Sequence, residues 1–180
     1  MPAQRRLILY IATSLDGFIA TRDEDLGWLS MVEEPGEDYG CAPFTETVDT
    51  VIMGRRTYDN VVAMGVPDPH PDKTLYVITR TARPSQGTIH YHTGDVIELV
   101  KRLKGGPGKD IYCDGGAQLV DHLMRHDLID AYIISIIPIL LGDGIRLFSG
   151  GRPQQELRLV SSRSFPKGLV QVHYERVRPV

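Results

Sequence analysis

The segment Ile111-Tyr112-Cys113-Asp114-Gly115-Gly116-Ala117-Gln118-Leu119 constrains this chain more than any other. A short β-like run, Asp110 to Cys113, meets a pair of glycines. Apolar residues then recur at helical spacing as Leu119, Val120, Leu123 and Met124. A strand that turns into a helix through residues without side chains leaves backbone N–H groups pointing out of the first helical turn. The helix dipole favours negative charge there, and the glycines let a phosphate approach the backbone. The pattern is neither G-x-G-x-x-G nor G-x-x-x-x-G-K-[ST], and plain turn chemistry also accounts for a glycine pair at such a junction.

The rest of the chain repeats the theme. Arg5 to Thr13 is continuously apolar in its middle and reads as a central strand covered on both faces. Thr50 to Met53 is a short buried strand, followed at once by Gly54-Arg55-Arg56-Thr57-Tyr58 and by Tyr58, Val61 and Val62 on one helix face. This is a second strand–glycine–helix junction, here carrying cations. Phe44 to Val48 suggests a helix kept short by Gly40 and Pro43. Thr74 to Thr79 and Thr88 to His92 read as strands. Val96, Leu99, Val100 and Leu103 mark an amphipathic helix with Thr93 or Asp95 as N-cap. Ile129 to Leu141 reads as another apolar strand region, and Leu157 to Phe165 and Leu169 to Val177 read as a closing antiparallel hairpin.

Strands alternating with helices predict an α/β fold. We expect one domain over residues 1–180: a mostly parallel central sheet, helices on both faces and an antiparallel C-terminal hairpin. Ligands on such sheets lie at the carboxyl ends of strands. Those ends precede Ser14–Gly17, Gly54–Thr57, Thr79–Thr81 and Asp114–Gly116, so one cleft is expected to gather these four loops. The polar, acidic stretch from Thr21 to Gly40 is long for an idle connection and reads as a lid or binding loop.

A formal net charge of −3, with no basic run longer than Arg5-Arg6 or Arg55-Arg56, argues against nucleic acid and anionic membrane as partners. The apolar runs are too short to span a bilayer, and no signal-peptide pattern opens the chain. Two cysteines, Cys41 and Cys113, make no disulfide framework, and a cytoplasmic location is the simplest expectation. His122 and His126 have metal-ligand spacing but no third ligand, so no metal is expected.

Four segments together resemble the dihydrofolate reductase-like fold, and more closely its branch containing the reductase domain of riboflavin biosynthesis (RibD C-terminal). They are Ala12-Thr13-Ser14-Leu15-Asp16-Gly17-Phe18-Ile19-Ala20, Val51-Ile52-Met53-Gly54-Arg55-Arg56-Thr57-Tyr58, Asp114-Gly115-Gly116-Ala117-Gln118-Leu119 and Pro138 to Phe148. The resemblance implies a reductase that uses NADPH to carry hydride to a C=N or C=O of a small heterocycle, pterin-like or ribityl-pyrimidine-like. It further implies that Gly54, Arg55, Arg56 and Thr57 cradle cofactor phosphates and that Gly115, Gly116, Ala117 and Gln118 face the pyrophosphate. Thr79, Arg80 and Thr81 match the ribose end, where Arg80 would fork onto a 2′-phosphate. Ala12 matches the position lining the nicotinamide, and Asp16 to Trp28 the loop that closes over it. The family's catalytic carboxylate falls on Asp38, counted back sixteen residues from Gly54, and folate reduction would require it buried. The same resemblance implies a homodimer, for which the apolar Ile133 to Phe148 is the expected interface.

Each assignment has a plainer alternative. Asp16 forms an Asx-type turn with Gly17 or takes part in catalysis. Asp38 caps a helix or binds substrate. Trp28 anchors the lid in the core or walls the substrate pocket. Arg55, Arg56 and Arg80 are solvated cations or phosphate ligands. A nucleotide binder without catalysis, or an oligomerising scaffold on the same fold, remains beside the enzyme reading.

Overall fold

The computed structural model describes residues 4–178. The strands are β1 (Leu7–Ser14), β2 (Phe18–Ala20), β3 (Val48–Gly54), β4 (Thr74–Ile78), β5 (Ile89–His92), β6 (Asp110–Gly115), β7 (Ala131–Ile137), β8 (Ile145–Arg146), β9 (Leu157–Ser164) and β10 (Val170–Arg176). The helices are α1 (Cys41–Glu46), α2 (Arg55–Ala63), α3 (Val96–Gly105) and α4 (Ala117–Arg125), with a 3-10 segment at Gly27–Val32. Eight strands form one sheet in the order β5-β4-β3-β6-β1-β7-β10-β9. The first six are parallel, and β10 runs antiparallel to both β7 and β9. This is a mixed α/β fold with a mostly parallel central sheet and an antiparallel C-terminal hairpin, as the sequence pattern predicts.

Alternation along the central strands sends side chains to two separate cores. Leu7 and Leu9 of β1, Ile52 of β3, and Ile111 and Cys113 of β6 join Val100 of α3 and Val120 and Leu123 of α4 on one face. Ile8, Val51, Met53 and Tyr112 face the other way, against Phe44 of α1 and Tyr58 of α2. Burial pushes the Cys113 thiol up to about 12, so this cysteine is a packing residue. The helix at residues 96–105 starts where the sequence places it, with Asp95 accepting from the backbone N–H of Ile97 at 2.7 Å and of Glu98 at 3.4 Å. A third, smaller cluster of Val32, Ile137 and Leu169 takes in Trp28, Leu29, Tyr39 and Phe165.

Three elements differ from the sequence expectation. The Thr21–Gly40 stretch carries the 3-10 segment Gly27–Val32, and the two short strands β2 and β8 pair with each other outside the main sheet. Within the apolar run Ile133 to Phe148, β7 is an interior strand, hydrogen-bonded to β1 on one side and β10 on the other, while Leu140 and Phe148 beyond it are exposed. β9 is an edge strand exposed along its whole length, including Leu157, Leu159 and Val160. Among the described residues, no helix is long and apolar enough to cross a membrane.

The amino-terminal end of the sheet is fastened by buried charges. Asp130 accepts from the Leu7 N–H at 2.7 Å, pairs with Lys104 at 2.5 Å and meets Arg178 at 2.6 Å. The Lys104 ammonium also donates to the Leu128 carbonyl at 2.7 Å. Removing one member strands a buried cation, which typically costs about 3 kcal/mol or more. Asp130→Ala should therefore lower unfolding stability by ~3 kcal/mol, read as a lower urea midpoint at unchanged slope. A loss below ~1 kcal/mol would show that the pair contributes no more than a surface contact.

Candidate active site

β3 and β6 are neighbours, so the two strand–glycine–helix junctions stand side by side at the carboxyl edge of the sheet. A Cβ added to Gly54 would lie 3.6 Å from both the Gly115 carbonyl oxygen and the Gly116 nitrogen, and one on Gly116 would lie 3.0 Å from Thr57 Oγ1. Gly115 has φ +100°, a backbone region that suits glycine, and the Gly115–Gly116 peptide is cis. Side chains at these positions would fill the space between the junctions. Neither α2 nor α4 has a side-chain N-cap, and neither carries an acid in its first turn. The contrast with Asp95-capped α3 is direct: at two adjoining helix starts the orphan N–H groups are left for something other than the chain's own side chains.

The cations around this cradle are partly engaged. Arg55 lies 3.6 Å from Asp59 one turn along α2. Arg56 donates to Glu24 of the long loop, which also accepts from Asn60 Nδ2 at 2.9 Å. Thr79 follows β4, whose Ile78 pairs with Gly54, and its Oγ1 accepts from the Thr81 N–H at 3.1 Å. Arg80 is exposed and enters no ion pair among the described residues. Arg83, which sequence reasoning passed over, shares Asp59 with Arg55 at 3.7 Å and lies over the Tyr91 ring at 5.5 Å. Ala117 and Gln118 open α4, with Gln118 exposed.

Next to the cradle, on the α1 side of the sheet, is a cavity of about 260 Å³ lined by Tyr10, Ala12, Leu29, Asp38, Cys41 and Ser135 among others. Its wall carries a polar network. Gln171 Nε2 lies 3.0 Å from Ser135 Oγ, 3.1 Å from the Tyr39 carbonyl and 3.3 Å from the Tyr10 hydroxyl. Tyr10 in turn donates to the Tyr39 carbonyl at 3.1 Å and stacks on Phe44 with centroids 4.6 Å apart. Burial raises its phenol pKa, so the group stays a neutral donor. A larger hollow of about 460 Å³ at Glu33, Glu34, Pro35, Glu37 and Tyr39 contains none of the strand-end residues.

Asp114 is the site residue that the sequence analysis passed over. It precedes Gly115 and shares a face of β6 with Tyr112. It accepts from the Tyr112 hydroxyl at 2.8 Å, and its other oxygen lies 2.8 Å from His70 Nε2. Burial, then the nearby Asp114 charge, holds the Tyr112 phenol well above its ordinary pKa. Cys41 stands between this group and Asp38. Partial burial raises its thiol pKa first, then the Asp38 charge, then Asp114. Cys41, which lines the cavity, is thus within electrostatic reach of both Asp38 and Asp114.

A model of the RibD C-terminal domain family matches residues 5–171. The chain belongs to the RibD C-terminal domain family. The uncharacterized protein YwjB of Bacillus subtilis is 41% identical over 96% of this chain and 99% of its own. A crystal structure from Shewanella sp. PV-4, named for riboflavin biosynthesis, is 31% identical and superposes with a TM-score of 0.87 over 96% of this chain and 99% of that one. The Enterococcus faecalis dihydrofolate reductase, solved with NADP(H), shares the fold at a TM-score of 0.63 and 18% identity, covering 97% of this chain and 98% of that one. The family is reductase-like.

Within this RibD C-terminal domain the residues marked by resemblance fall into two groups. Gly54, Thr57, Gly115 and Gly116 are in mutual contact, with Arg55, Arg56, Ala117 and Gln118 around them, and Ala12 lines the adjoining cavity. The acids behave differently. Asp38 is exposed at the lip of the cavity, where it accepts from the N–H groups of Gly40 at 2.9 Å and Ala42 at 3.0 Å, which lowers its pKa. The burial that folate reduction asks of it is absent, because the short helix α1 starts only at Cys41 and uses Asp38 to satisfy its own first turn. Asp16 accepts from Ser14 Oγ at 2.6 Å and from the N–H groups of Gly142 at 2.8 Å and Leu141 at 3.1 Å, with its pKa lowered by the Ser14 bond first. It ties the β1–β2 turn to the loop before β8. Trp28 packs in the third cluster beside the cavity rather than lining it, with its indole N–H buried and without a partner.

The position of Cys41 is directly testable. Iodoacetamide should label Cys41 and spare buried Cys113 in the folded protein, with a pH profile displaced above that of a free thiol. Asp38→Asn should move that profile down more than Asp114→Asn does. If neither substitution moves it, the two carboxylates do not face the thiol.

Proposed function

We propose that this chain is an NADPH-dependent reductase of a small, flat, nitrogen heterocycle. The reading is supported above all by two uncapped helix starts converging on Gly54, Gly115 and Gly116. Such an arrangement offers orphan N–H donors from two dipoles to one diphosphate and admits it at backbone distance. The donor set fits the group: backbone N–H, Thr57 and guanidinium are all donors to phosphate oxygen, and no carboxylate belongs to either first turn. Arg83 and Arg80 are the candidates for a 2′-phosphate, Arg83 being the one connected to the cradle through Asp59.

When bound, NADPH would supply the hydride. The protein's own share is position, dryness and the proton. Ala12, small and on β1, gives a flat ring room against the sheet. Tyr10, Gln171 and Ser135 offer a polar wall to a heterocycle edge. Asp114 is held by Tyr112 and His70 at the strand end beside the cradle, and an imidazole can both donate and accept a proton near neutrality. We assign proton supply to this pair and not to Asp38, whose carboxylate is exposed and stabilised in its ionised form. The part of the loop that Asp16 anchors to Leu141 and Gly142 would exclude water. YwjB and the Shewanella protein are matched over essentially their whole length. Which heterocycle is reduced follows from a screen of NADPH oxidation against aminopyrimidine, pterin and dihydrofolate substrates.

The cofactor half needs no substrate to test. NADPH should raise the melting temperature of the wild-type protein and quench Trp28 fluorescence, and Gly116→Val, which fills the space before Thr57, should abolish both effects. Circular dichroism establishes that the variant is folded. A wild-type protein indifferent to both NADPH and NADH would overturn the proposal.

We also propose that the chain pairs with a second copy through the edge strand β9. Its exposed Leu157, Leu159 and Val160, with Val170 on β10, leave apolar surface beside unpaired backbone groups. Sedimentation should give a dimer for the wild type and a monomer for Leu159→Arg. A wild-type monomer at tens of micromolar, about the range where standard-sized interfaces persist, would eliminate this assembly.

A further inference from the structure

The loop that leaves β1 is fastened on two sides. On one side Asp16 holds the N–H groups of Leu141 and Gly142, and Arg22 pairs with Asp143. On the other side Glu24 reaches α2, where Arg56 and Asn60 both donate to its carboxylate. The second attachment has a topological consequence. The loop departs from β1 and α2 departs from β3, and β6 lies between those two strands. The segment holding Glu24 follows β2, the short strand after β1, so its contact with α2 links the β1 side of the sheet to the β3 side, on either side of the strand that ends in Gly115.

Glu24 also pays a conformational cost to be there. Its φ is +64°, in the left-handed region that residues with a Cβ adopt only when their surroundings hold them in it. The turn around it is tightly bonded: Glu24 N–H donates to the Thr21 carbonyl at 3.0 Å, Asp25 N–H to Thr21 Oγ1 at 3.0 Å, and Thr21 N–H to the Asp25 carbonyl at 3.2 Å. The turn aims the carboxylate at α2. Its side chain is 24% exposed, against 70% for Arg56, so the acid is sheltered while the guanidinium keeps an open side. With Arg55 near Asp59, both cations of the α2 start are already matched by acids of the same chain.

We propose that Glu24 is a latch that competes with cofactor phosphate for Arg56, so that anion binding in the cradle and release of the loop at residues 21–26 form one coupled equilibrium. This rests on the reductase reading of the cradle, since it takes the incoming anion to be a dinucleotide diphosphate. An anion arriving at the α2 start gains Arg56 only as Glu24 gives it up. By linkage, whatever loosens the latch tightens the anion by the same factor. Glu24→Gln keeps the shape and a hydrogen-bond acceptor for Asn60 but removes the competing charge.

The test uses the full chain, wild type and Glu24→Gln, titrated calorimetrically with NADPH and separately with inorganic pyrophosphate, with hydrogen exchange of residues 21–26 followed in each state. Glu24→Gln should bind both ligands ~3- to 5-fold tighter, the range an exposed ion pair supplies. The difference should shrink as salt rises to about 0.5 M. In the wild type, ligand should speed exchange at 21–26. In Glu24→Gln exchange should already be fast and should not respond. Equal or weaker binding by Glu24→Gln, or slower exchange at 21–26 in the liganded wild type, would overturn the latch. If the wild type binds pyrophosphate but not NADPH, the reductase reading fails and the pyrophosphate arm alone decides the latch. If it binds neither, both fall.

Discussion

The structure depends on how closely the carboxyl ends of β3 and β6 approach each other. A Cβ on Gly54 would already be in contact with the Gly115–Gly116 peptide at 3.6 Å, and one on Gly116 would crowd Thr57 at 3.0 Å. Because the strands are adjacent and parallel, the helices that follow them begin at the same level and point their first-turn N–H groups into the same space. Any side chain between them would have to satisfy those donors itself, as Asp95 does for α3. At this edge the chain omits the cap twice, and two helix starts carrying orphan donors side by side are a standing demand for an anion.

The opposite edge is built on the reverse principle. There Asp130, Lys104, Arg178 and the N–H of Leu7 satisfy one another, and Arg5 reaches Thr50 Oγ1 at 2.7 Å and the Lys109 carbonyl at 2.5 Å. Polar groups at the amino-terminal edge are paired, and those at the carboxyl edge are left open or held by groups a ligand can replace. Between the edges, the alternation of β1, β3 and β6 sends most of their apolar side chains to one of two cores. The sheet can therefore keep an unsatisfied edge because stability is supplied elsewhere, the division expected when a functional site departs from the local rules.

That division also explains what could be read from the sequence. The junctions were legible because a change of hydrophobic period from two to about 3.6 across a glycine is a local event, complete within ten residues or so. The family resemblance rested on the same segments. The β2–β8 pair was not legible, since two- and three-residue strands leave no period to detect. The apolar run Ile133 to Phe148 gave no sign that its first part, β7, is an interior strand, because that depends on pairing with both β1 and β10. Asp114 and His70 are 44 residues apart, and Glu24 and Arg56 are 32 apart. Nothing local announces either pair, because each is made by strand order. Asp38 illustrates the limit of counting: the interval to Gly54 locates the residue, but its burial depends on where α1 begins.

The carboxylates around the cleft are sorted by their donors, and that sorting bears on the chemistry. Asp16, through the Ser14 hydroxyl first and then backbone N–H groups, and Asp38, through backbone N–H groups, are both held below the ordinary carboxylate range. Backbone donors also fix them in place, as hinge and cap. Asp114 instead meets two side chains, accepting from the Tyr112 phenol at 2.8 Å and lying 2.8 Å from His70 Nε2. A carboxylate that must pass a proton to a substrate needs partners that can replace it. Asp114 has two such partners and adjoins the glycine turn. Under the proposed reductase reading, it is therefore the residue before Gly115, at the end of the strand, to which we assign the proton in place of the residue sixteen positions before Gly54.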